Sequence, residues 1–381
     1  MNVCVVCDVL GEENNGTTVA AMNLIRYLKK RDHQVTVICP DQNRKGMEGY
    51  IVVDKLNLGP LNGYVEKNGV TLSHASKKVI EPAIREADVV HLLIPFALAN
   101  AALRVAKKYD KPVTASFHAQ AENITSHIFM MDFELANKIA YLQMYYATYR
   151  HVDAVHYPTE FIRDVFEGAV RHKTNAYVIS NGVGERFKRL DVEKPAEFKN
   201  KFVILFSGRY SKEKSHTVLI DAVSLSKYES KIQLIFAGEG PLKDKLRLYS
   251  KKLTNRPVLA FFPHKQMLNV LNYADLYVHP AEIEIEAIAC LEAIACGQVP
   301  VISDSKKSAT KKFALDERNL FKANDPQSLA QKIDYFIEHP EEIEAYRERY
   351  KGMAEEYSQK VSMEKMEQML FDVIEKKRRN G

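Results

Sequence analysis

The chain has no tryptophan, and no stretch of it reaches the roughly 18 consecutive apolar residues of a membrane span. Its first residues, MNVCVVCDV, read directly as a strand and lack the basic segment and apolar core of a secretory leader. Cysteine is scarce as well. There are five, an odd number, all in apolar surroundings, which excludes a disulfide-built scaffold. Cys4 and Cys7 are spaced as a CxxC, but residues three apart on a strand point to opposite faces. The pair therefore reads as buried packing rather than redox or metal chemistry. The histidines do not group at metal-ligand spacing. No GxGxxG follows the first strand and no GxxxxGK[ST] occurs, so NAD and P-loop sites lose support. An excess of one charge is also missing. Lys and Arg number 54 against 49 Asp and Glu, a net charge of +5. That is too little for a dedicated nucleic-acid binder, but it is compatible with anionic small molecules or an anionic membrane surface. A cytoplasmic protein is the expectation.

What is present is an ordinary globular composition, 46% hydrophobic and 27% charged over 381 residues, with ample material for a core. Short, β-branched, nearly continuous apolar runs suggest strands buried on both faces. In the first half they are Val3–Cys7, Val35–Cys39, Ile51–Val53, Val89–Ile94, Val113–Phe117, Ala154–Tyr157 and Tyr177–Ile179. In the second they are Phe202–Phe206, Ile232–Ala237, Val258–Phe262, Leu276–Val278 and Val299–Ile302. Helical patterns alternate with them, among them Thr217–Ser226, Lys243–Lys252, Leu268–Tyr273, Glu286–Cys296 and Pro326–Glu338. Two such series predict an α/β chain of two Rossmann-like, doubly wound parallel-sheet domains, with their boundary in the polar stretch Gly182–Lys199. We place the domains at 1–185 and 186–354. The charged tract from about Pro340 to Arg379 reads as helix, and 355–381 is expected to cross back and pack on the first domain.

In open parallel sheets ligands bind beyond the carboxyl ends of strands. The unusual residues here all follow strands. They are Gly16 and Thr17, His118, Asn181 with Gly182, Gly208 and Arg209 with Lys214, Gly238-Glu239-Gly240, and Glu284. Carboxyl edges facing each other would aim all of them into one cleft. Arg209 and Lys214, beside helix N–H groups, suit a diphosphate, although a solvated charged loop would read the same way. Seven residues separate Glu284 from Glu292, and Glu292 interrupts an apolar helix. A lone carboxylate there is costly unless it binds something, and two such acceptors can grip sugar and ribose hydroxyls. The alternative is one edge-exposed Glu behind an acidic helix start. His118 also reads as a satisfied structural histidine, and Gly16 as a turn or a helix start suited to phosphate.

Taken in order and spacing, these motifs resemble the retaining, GT4-type glycosyltransferases of the GT-B superfamily over nearly the whole chain. The resemblance is carried by Ser207-Gly208-Arg209 with Lys214, Ala237-Gly238-Glu239-Gly240-Pro241, and Glu284-x7-Glu292 running into Ala293-Ile294-Ala295-Cys296-Gly297. Ile179-Ser180-Asn181-Gly182-Val183, and His91 in Ala87-Asp88-Val89-Val90-His91, fit it too. It implies roles. Arg209 and Lys214 would neutralise the donor diphosphate, Glu284 would contact the donor sugar, and Glu292 the ribose. His118 would lie near the sugar's hydroxymethyl group, and Gly16 would offer its backbone N–H to phosphate. It also implies a UDP-sugar donor and no metal, the two cations and a helix dipole serving instead. The chain departs from the pattern where glycines are usual after and near the first acidic residue. Ile285 and Ala287 stand there, so backbone N–H groups of Ile285, Glu286, Ala287 and Ile288 would meet the sugar in a narrower pocket.

The stretch from His118 through Glu122, Thr125, His127 and Ile128 is similar to that of bacterial glycolipid synthases, which puts Glu122 and His127 at the acceptor. Phe129, Met130, Met131, Phe133, Ile139, Leu142, Tyr145, Tyr146 and Tyr149 follow. With Arg26, Lys29, Lys30, Arg31, Lys77, Lys78, Lys107 and Lys108 they suit an anionic membrane surface, or else ordinary core and solvated faces. The expectation is a hexosyltransferase passing glucose or galactose from a UDP-sugar to a lipid such as diacylglycerol or ceramide. It would lie peripherally on the inner face of the cell membrane. Alternatives are a saccharide acceptor, a UDP-sugar epimerase, or a non-catalytic sugar-nucleotide-binding protein.

Overall fold

Apolar runs too hydrophobic to face water on either side form the strands of two parallel sheets, one in each of two units. The computed structural model describes residues 1–10, 16–56, 59, 73–74, 76–122 and 133–380. The first unit comprises Met1–Asn181 together with Ser362–Gly381, and the second Gly182–Val361.

Unit 1 holds β1 (Asn2–Val6), β2 (Gln34–Cys39), β3 (Tyr50–Val52), β4 (Asp54–Lys55), β5 (Ser73–His74), β6 (Val89–Leu92), β7 (Val113–Ser116), β8 (Ala154–Tyr157) and β9 (Ala176–Val178). Seven of these make a sheet in the order β3-β2-β1-β6-β7-β8-β9, and β4 pairs antiparallel with β5. Unit 2 holds β10 (Phe202–Ser207), β11 (Ile232–Ala237), β12 (Val258–Ala260), β13 (Leu276–His279), β14 (Pro300–Ser303) and β15 (Leu320–Phe321), ordered β12-β11-β10-β13-β14-β15. The order reverses at β1/β6 and at β10/β13. These are the switch points beyond whose carboxyl ends doubly wound sheets leave a crevice.

Among the described residues, the first stretch of unit 1 holds the helices α1 (Gly16–Lys30), α2 (Lys77–Glu86), α3 (Ala97–Lys108), α4 (Glu134–Ala147) and α5 (Glu160–Val170). Those that follow are α6 (His216–Leu225), α7 (Lys243–Tyr249), α8 (His264–Tyr273), α9 (Ile288–Ala295), α10 (Pro326–Glu338), α11 (Pro340–Glu356) and α12 (Gln359–Asn380). Local chemistry starts two of them cleanly. The Thr159 hydroxyl accepts from Ile162 N ahead of α5, and the Asp325 carboxylate accepts from Ser328 N ahead of α10, where Pro326 opens the helix.

Several elements differ from the sequence reading. The helix read as Leu268–Tyr273 begins at His264, and the strand read as Val258–Phe262 ends at Ala260. Three further differences have a visible cause. Helix α9 begins at Ile288 rather than Glu286, because Ala287 adopts a left-handed φ of +61° that no helix can continue through. The tract from Pro340 to Arg379 is two helices, not one. At Tyr357–Gln359 the backbone pairs instead with Val183, whose N donates to Tyr357 O and whose O accepts from Gln359 N, each at 2.8 Å. Helix α7 stops at Tyr249 and gives way to a tighter turn over Ser250–Lys252.

Helix α12 packs into unit 1. Met363, Met366, Leu370 and Val373 recur at helical spacing and are buried. Glu367 takes hydrogen bonds from Tyr27 at 3.2 Å and His33 at 2.5 Å, and Tyr177 donates to Asp372. The cysteines are all free and buried. Burial raises the thiols of both Cys4 and Cys7 to about 12, which leaves them unreactive.

Candidate active site

In unit 2 the loops after β10 and β11 interlock. Tyr210 N donates to Glu239 O at 2.9 Å, Leu242 N donates to Tyr210 O, and the Tyr210 hydroxyl reaches back to Phe236 O. Gly208, Gly238 and Gly240 stand where these backbones approach. The Glu239 carboxylate turns to Lys243 at 2.6 Å, on the surface.

The segment after β10 carries Arg209 and Lys214 to the start of α6. Arg209 is partly buried, and desolvation lowers its basicity against the pull of Glu213. Lys214 forms an ion pair with Glu284, which arrives from the segment between β13 and α9. Glu284 is fixed by its own backbone: Ala309 N donates to Glu284 O at 2.9 Å. Its carboxylate also takes a hydrogen bond from His279 Nε2 at 3.2 Å. Burial pushes the Glu284 carboxyl up, but Lys214 and His279 outweigh it and hold it at about 2. It is a carboxylate at any working pH.

Glu292 lies one turn into α9. Burial raises its carboxyl to about 7, against the nearby charge of Arg186. Ile285, Glu286 and Ala287 form the bend before that helix, and Glu286 is buried. The geometry thus brings Arg209, Lys214, Glu284 and the Ala287 bend to the carboxyl edge of one sheet, with Glu292 on the helix that follows.

Unit 1 has its own edge cluster. His118 follows β7, is partly exposed, and sets its ring edge-on to His156, with centroids 5.7 Å apart. Burial, then His156 and His91, drive its basicity far down, so it is a neutral imidazole. Behind it runs a buried chain. His156 Nε2 donates to Ile179 O at 2.7 Å, so its Nδ1 accepts from the Ser116 hydroxyl at 2.8 Å. Ser116 in turn accepts from His91 Nε2, and His91 Nδ1 accepts from the Thr114 hydroxyl. Every member is satisfied with both rings neutral.

Glu122 accepts from the buried Tyr141 hydroxyl at 2.7 Å. Gly16 opens α1, and a Cβ there would meet nothing within 4 Å. Thr17 follows in the first turn, and Thr18 anchors that turn by donating to Val9 O. Asn181 is buried at the last position of the first stretch of unit 1. His127, with Thr125, Ile128, Phe129, Met130 and Met131, lies outside the described residues.

Sequence reasoning passed over Asp8, His279 and His216. Asp8 accepts from the Ser73 hydroxyl and from Ala99 N in the first turn of α3, and burial raises it to about 6. His279 and Asp8 both sit at strand ends, so the rule that picked out Glu284 would have found them.

Comparison with known proteins gives one answer for both halves of the chain. Residues 14–186 match the model for Glycosyltransferase Family 4. Residues 187–353 match that for Glycosyl transferases group 1. The alpha-monoglucosyldiacylglycerol synthase of Streptococcus pneumoniae is 23% identical over 319 residues, 80% of this chain and 71% of that one. An undecaprenol-linked N-acetylgalactosaminyltransferase of Campylobacter jejuni is 30% identical over 167 residues, 42% of this chain and 43% of its own. The Anabaena HepE structure with UDP and glucose superposes with a TM-score of 0.73 at 16% identity, over 98% of this chain and 100% of that one. At that identity it speaks for the shared two-sheet fold.

Proposed function

The chain belongs to the family 4 glycosyltransferases of the GT-B superfamily, and from this we propose that it is a retaining, metal-independent hexosyltransferase that passes glucose or galactose from a UDP-sugar to a membrane lipid. The observation that carries the reading is the set Arg209, Lys214 and Glu284 at one sheet edge, with Glu292 on the adjoining helix.

Unit 2 takes the donor. Arg209 and Lys214 meet its diphosphate, Glu284 and the backbone N–H groups of residues 285–288 hold the hexose, and Glu292 takes the ribose hydroxyls. The Gly238–Gly240 loop borders the donor. In the reaction the bond from anomeric carbon to phosphate oxygen breaks, and its electron pair leaves with UDP. The two cations stabilise that charge as it develops. The acceptor oxygen bonds the anomeric carbon on the same face, and its proton passes to the departing phosphate oxygen. His118, held neutral at the sheet edge of unit 1, is suited to hydrogen-bond a sugar hydroxyl.

The lipid acceptor is supported by two of the relatives' names, one a diacylglycerol glycolipid synthase and one acting on a lipid-linked diphosphate. The surface of α4 supports it too. Leu135, Ile139 and Tyr146 are exposed along one helical face, Phe133 is exposed just before it, and the Arg150 guanidinium lies over the Tyr146 ring. Lys138 is exposed on the same helix. An apolar stripe beside cations suits a peripheral position on anionic lipid, at the inner membrane face. Among the described residues no helix is long and apolar enough to cross a membrane.

The test is UDP release from a panel of UDP-sugars, with and without vesicles carrying diacylglycerol or ceramide, and with a chelator present. Turnover with vesicles, undiminished by the chelator, is the expected result. Full turnover on soluble saccharides alone overturns the lipid acceptor. A new sugar nucleotide formed without acceptor marks an epimerase.

A further inference from the structure

Glu284 has two partners, and they differ in kind. Lys214 brings a formal positive charge. His279, buried at the end of β13, does not, and its Nε2 lies 3.2 Å from the carboxylate oxygen that Lys214 also holds. On its other side His279 Nδ1 lies 3.3 Å from the Tyr277 hydroxyl. That hydroxyl lies 3.5 Å from Ser207 O.

The phenol therefore has two acceptors within reach. With His279 neutral, Nε2–H donates to Glu284 and Tyr277 donates to Nδ1. With His279 protonated, both ring nitrogens donate, Nδ1–H to the phenol oxygen, and Tyr277 turns its proton to Ser207 O. Neither state orphans a polar group, which is what normally makes charging a buried imidazole expensive.

We propose that His279 takes up a proton from solvent when an anionic donor draws Lys214 away from Glu284, so that the carboxylate keeps a cationic partner. The inference rests on the donor reading above. A diphosphate competes with Glu284 for the Lys214 ammonium and adds negative charge to the same pocket. His279 then holds Glu284 in place for the sugar, and it is a positioning residue, since it acts through Glu284.

The groups that face His279 fit this. Glu284 comes from the segment before α9, Lys214 and His216 from around the start of α6, and Tyr277 from its own strand. Burial lowers the basicity of His279, with Glu284 opposing and Lys214 adding to the depression. Withdrawing Lys214 removes one of the two depressing influences. His216 is no rival for the proton. Both its ring nitrogens are buried without a hydrogen-bond partner, its ring packs against Phe206, Tyr210 and Phe236, and burial, then Lys214 and His279, bring it to about 3.

The experiment is calorimetric titration of the full chain with UDP-glucose at pH 7 in buffers of different ionisation enthalpy. Both phosphates of UDP-glucose are already fully ionised there, so any uptake belongs to the protein. Glu292, whose carboxyl lies at about 7, exchanges protons on binding too, so the comparison is between wild type and His279→Gln, which keeps a donor for Glu284 and an acceptor for Tyr277. The expected result is that the wild type takes up roughly half to one proton per ligand more than the variant. Nitrogen-15 NMR of the wild-type His279 ring serves if that variant does not fold. It should show one protonated nitrogen before UDP-glucose and two after. The same net proton count in wild type and His279→Gln, or a singly protonated ring in the complex, overturns the inference alone. Failure of UDP-glucose to bind overturns the donor reading, and this inference with it.

Discussion

Tyr210 fills the space that a side chain at Gly240 would need: a Cβ there would lie 2.6 Å from both the backbone nitrogen and the backbone oxygen of Tyr210. Gly238 is tighter still, with Gly208 O at 2.1 Å from its would-be Cβ. These glycines let two loop backbones nest, and in doing so they set the course of the segment that presents Arg209.

Gly240→Ala is therefore expected to destabilise unit 2 by about 1–3 kcal/mol, because the atoms in the way are backbone and cannot rotate aside. Thermal unfolding should show a midpoint lower by roughly 3–8 °C. An unchanged midpoint would remove the packing argument.

Lys214→Ala should lower turnover of UDP-sugar by on the order of a hundredfold or more, with the far-ultraviolet spectrum preserved. Its acid stability should change as well. Glu284 titrates at about 2 in the folded chain, below its ordinary 4.5. The stabilisation from its ionised form is complete above the ordinary value and is lost as pH falls toward 2. Without Lys214 that loss should set in at higher pH, which an acid titration followed by fluorescence or circular dichroism would register. Coincident acid transitions would contradict the pairing.

Glu292 has the opposite sign. Its carboxyl is raised to about 7, so the folded chain holds a proton that the unfolded chain has released. Stability should fall as pH climbs from about 4.5 to 7 and level off beyond. Glu292→Gln removes that slope. It should match the wild type near pH 5 and exceed it at pH 8 by about 1–2 kcal/mol in urea unfolding, while donor affinity drops. A variant less stable than wild type at pH 8 would show that the site holds the charged form comfortably.

Leu135→Glu with Ile139→Glu places two carboxylates on the exposed face of α4. Co-sedimentation with phosphatidylglycerol vesicles should weaken by at least roughly tenfold. The melting midpoint should hardly move, since both side chains already face outward. Undiminished vesicle binding would clear this helix of any membrane role.

Most of the fold could be read from sequence because a buried parallel strand has no polar face to disguise it. Ala154–Tyr157 and Ile232–Ala237 stand in the structure as the apolar runs delimit them. Leu320–Phe321 was not legible, since two residues make no pattern. The start of α9 was misplaced because it turns on Ala287, and alanine announces nothing about a positive φ. At the site, Glu292 stood out as a charge among apolar neighbours, and Arg209, Lys214 and Glu284 by their place after strands. His279 did not, because Leu276–Val278 reads as a finished strand and its histidine as a loop residue. The hydrogen bond from His33 to Glu367 spans 334 positions, and no local pattern carries such a pairing.

The same helix α12 has a consequence for how the protein is made. Unit 1 is discontinuous: its first 181 residues wait for Ser362–Gly381, while unit 2 is a single uninterrupted stretch. During synthesis the second unit can complete its core before the first does. At ribosomal speeds the missing helix arrives roughly 10–40 s after Asn181. Through that interval the groove that will take Met363, Met366, Leu370 and Val373 is uncovered, and the nascent chain has its best reason to meet a chaperone.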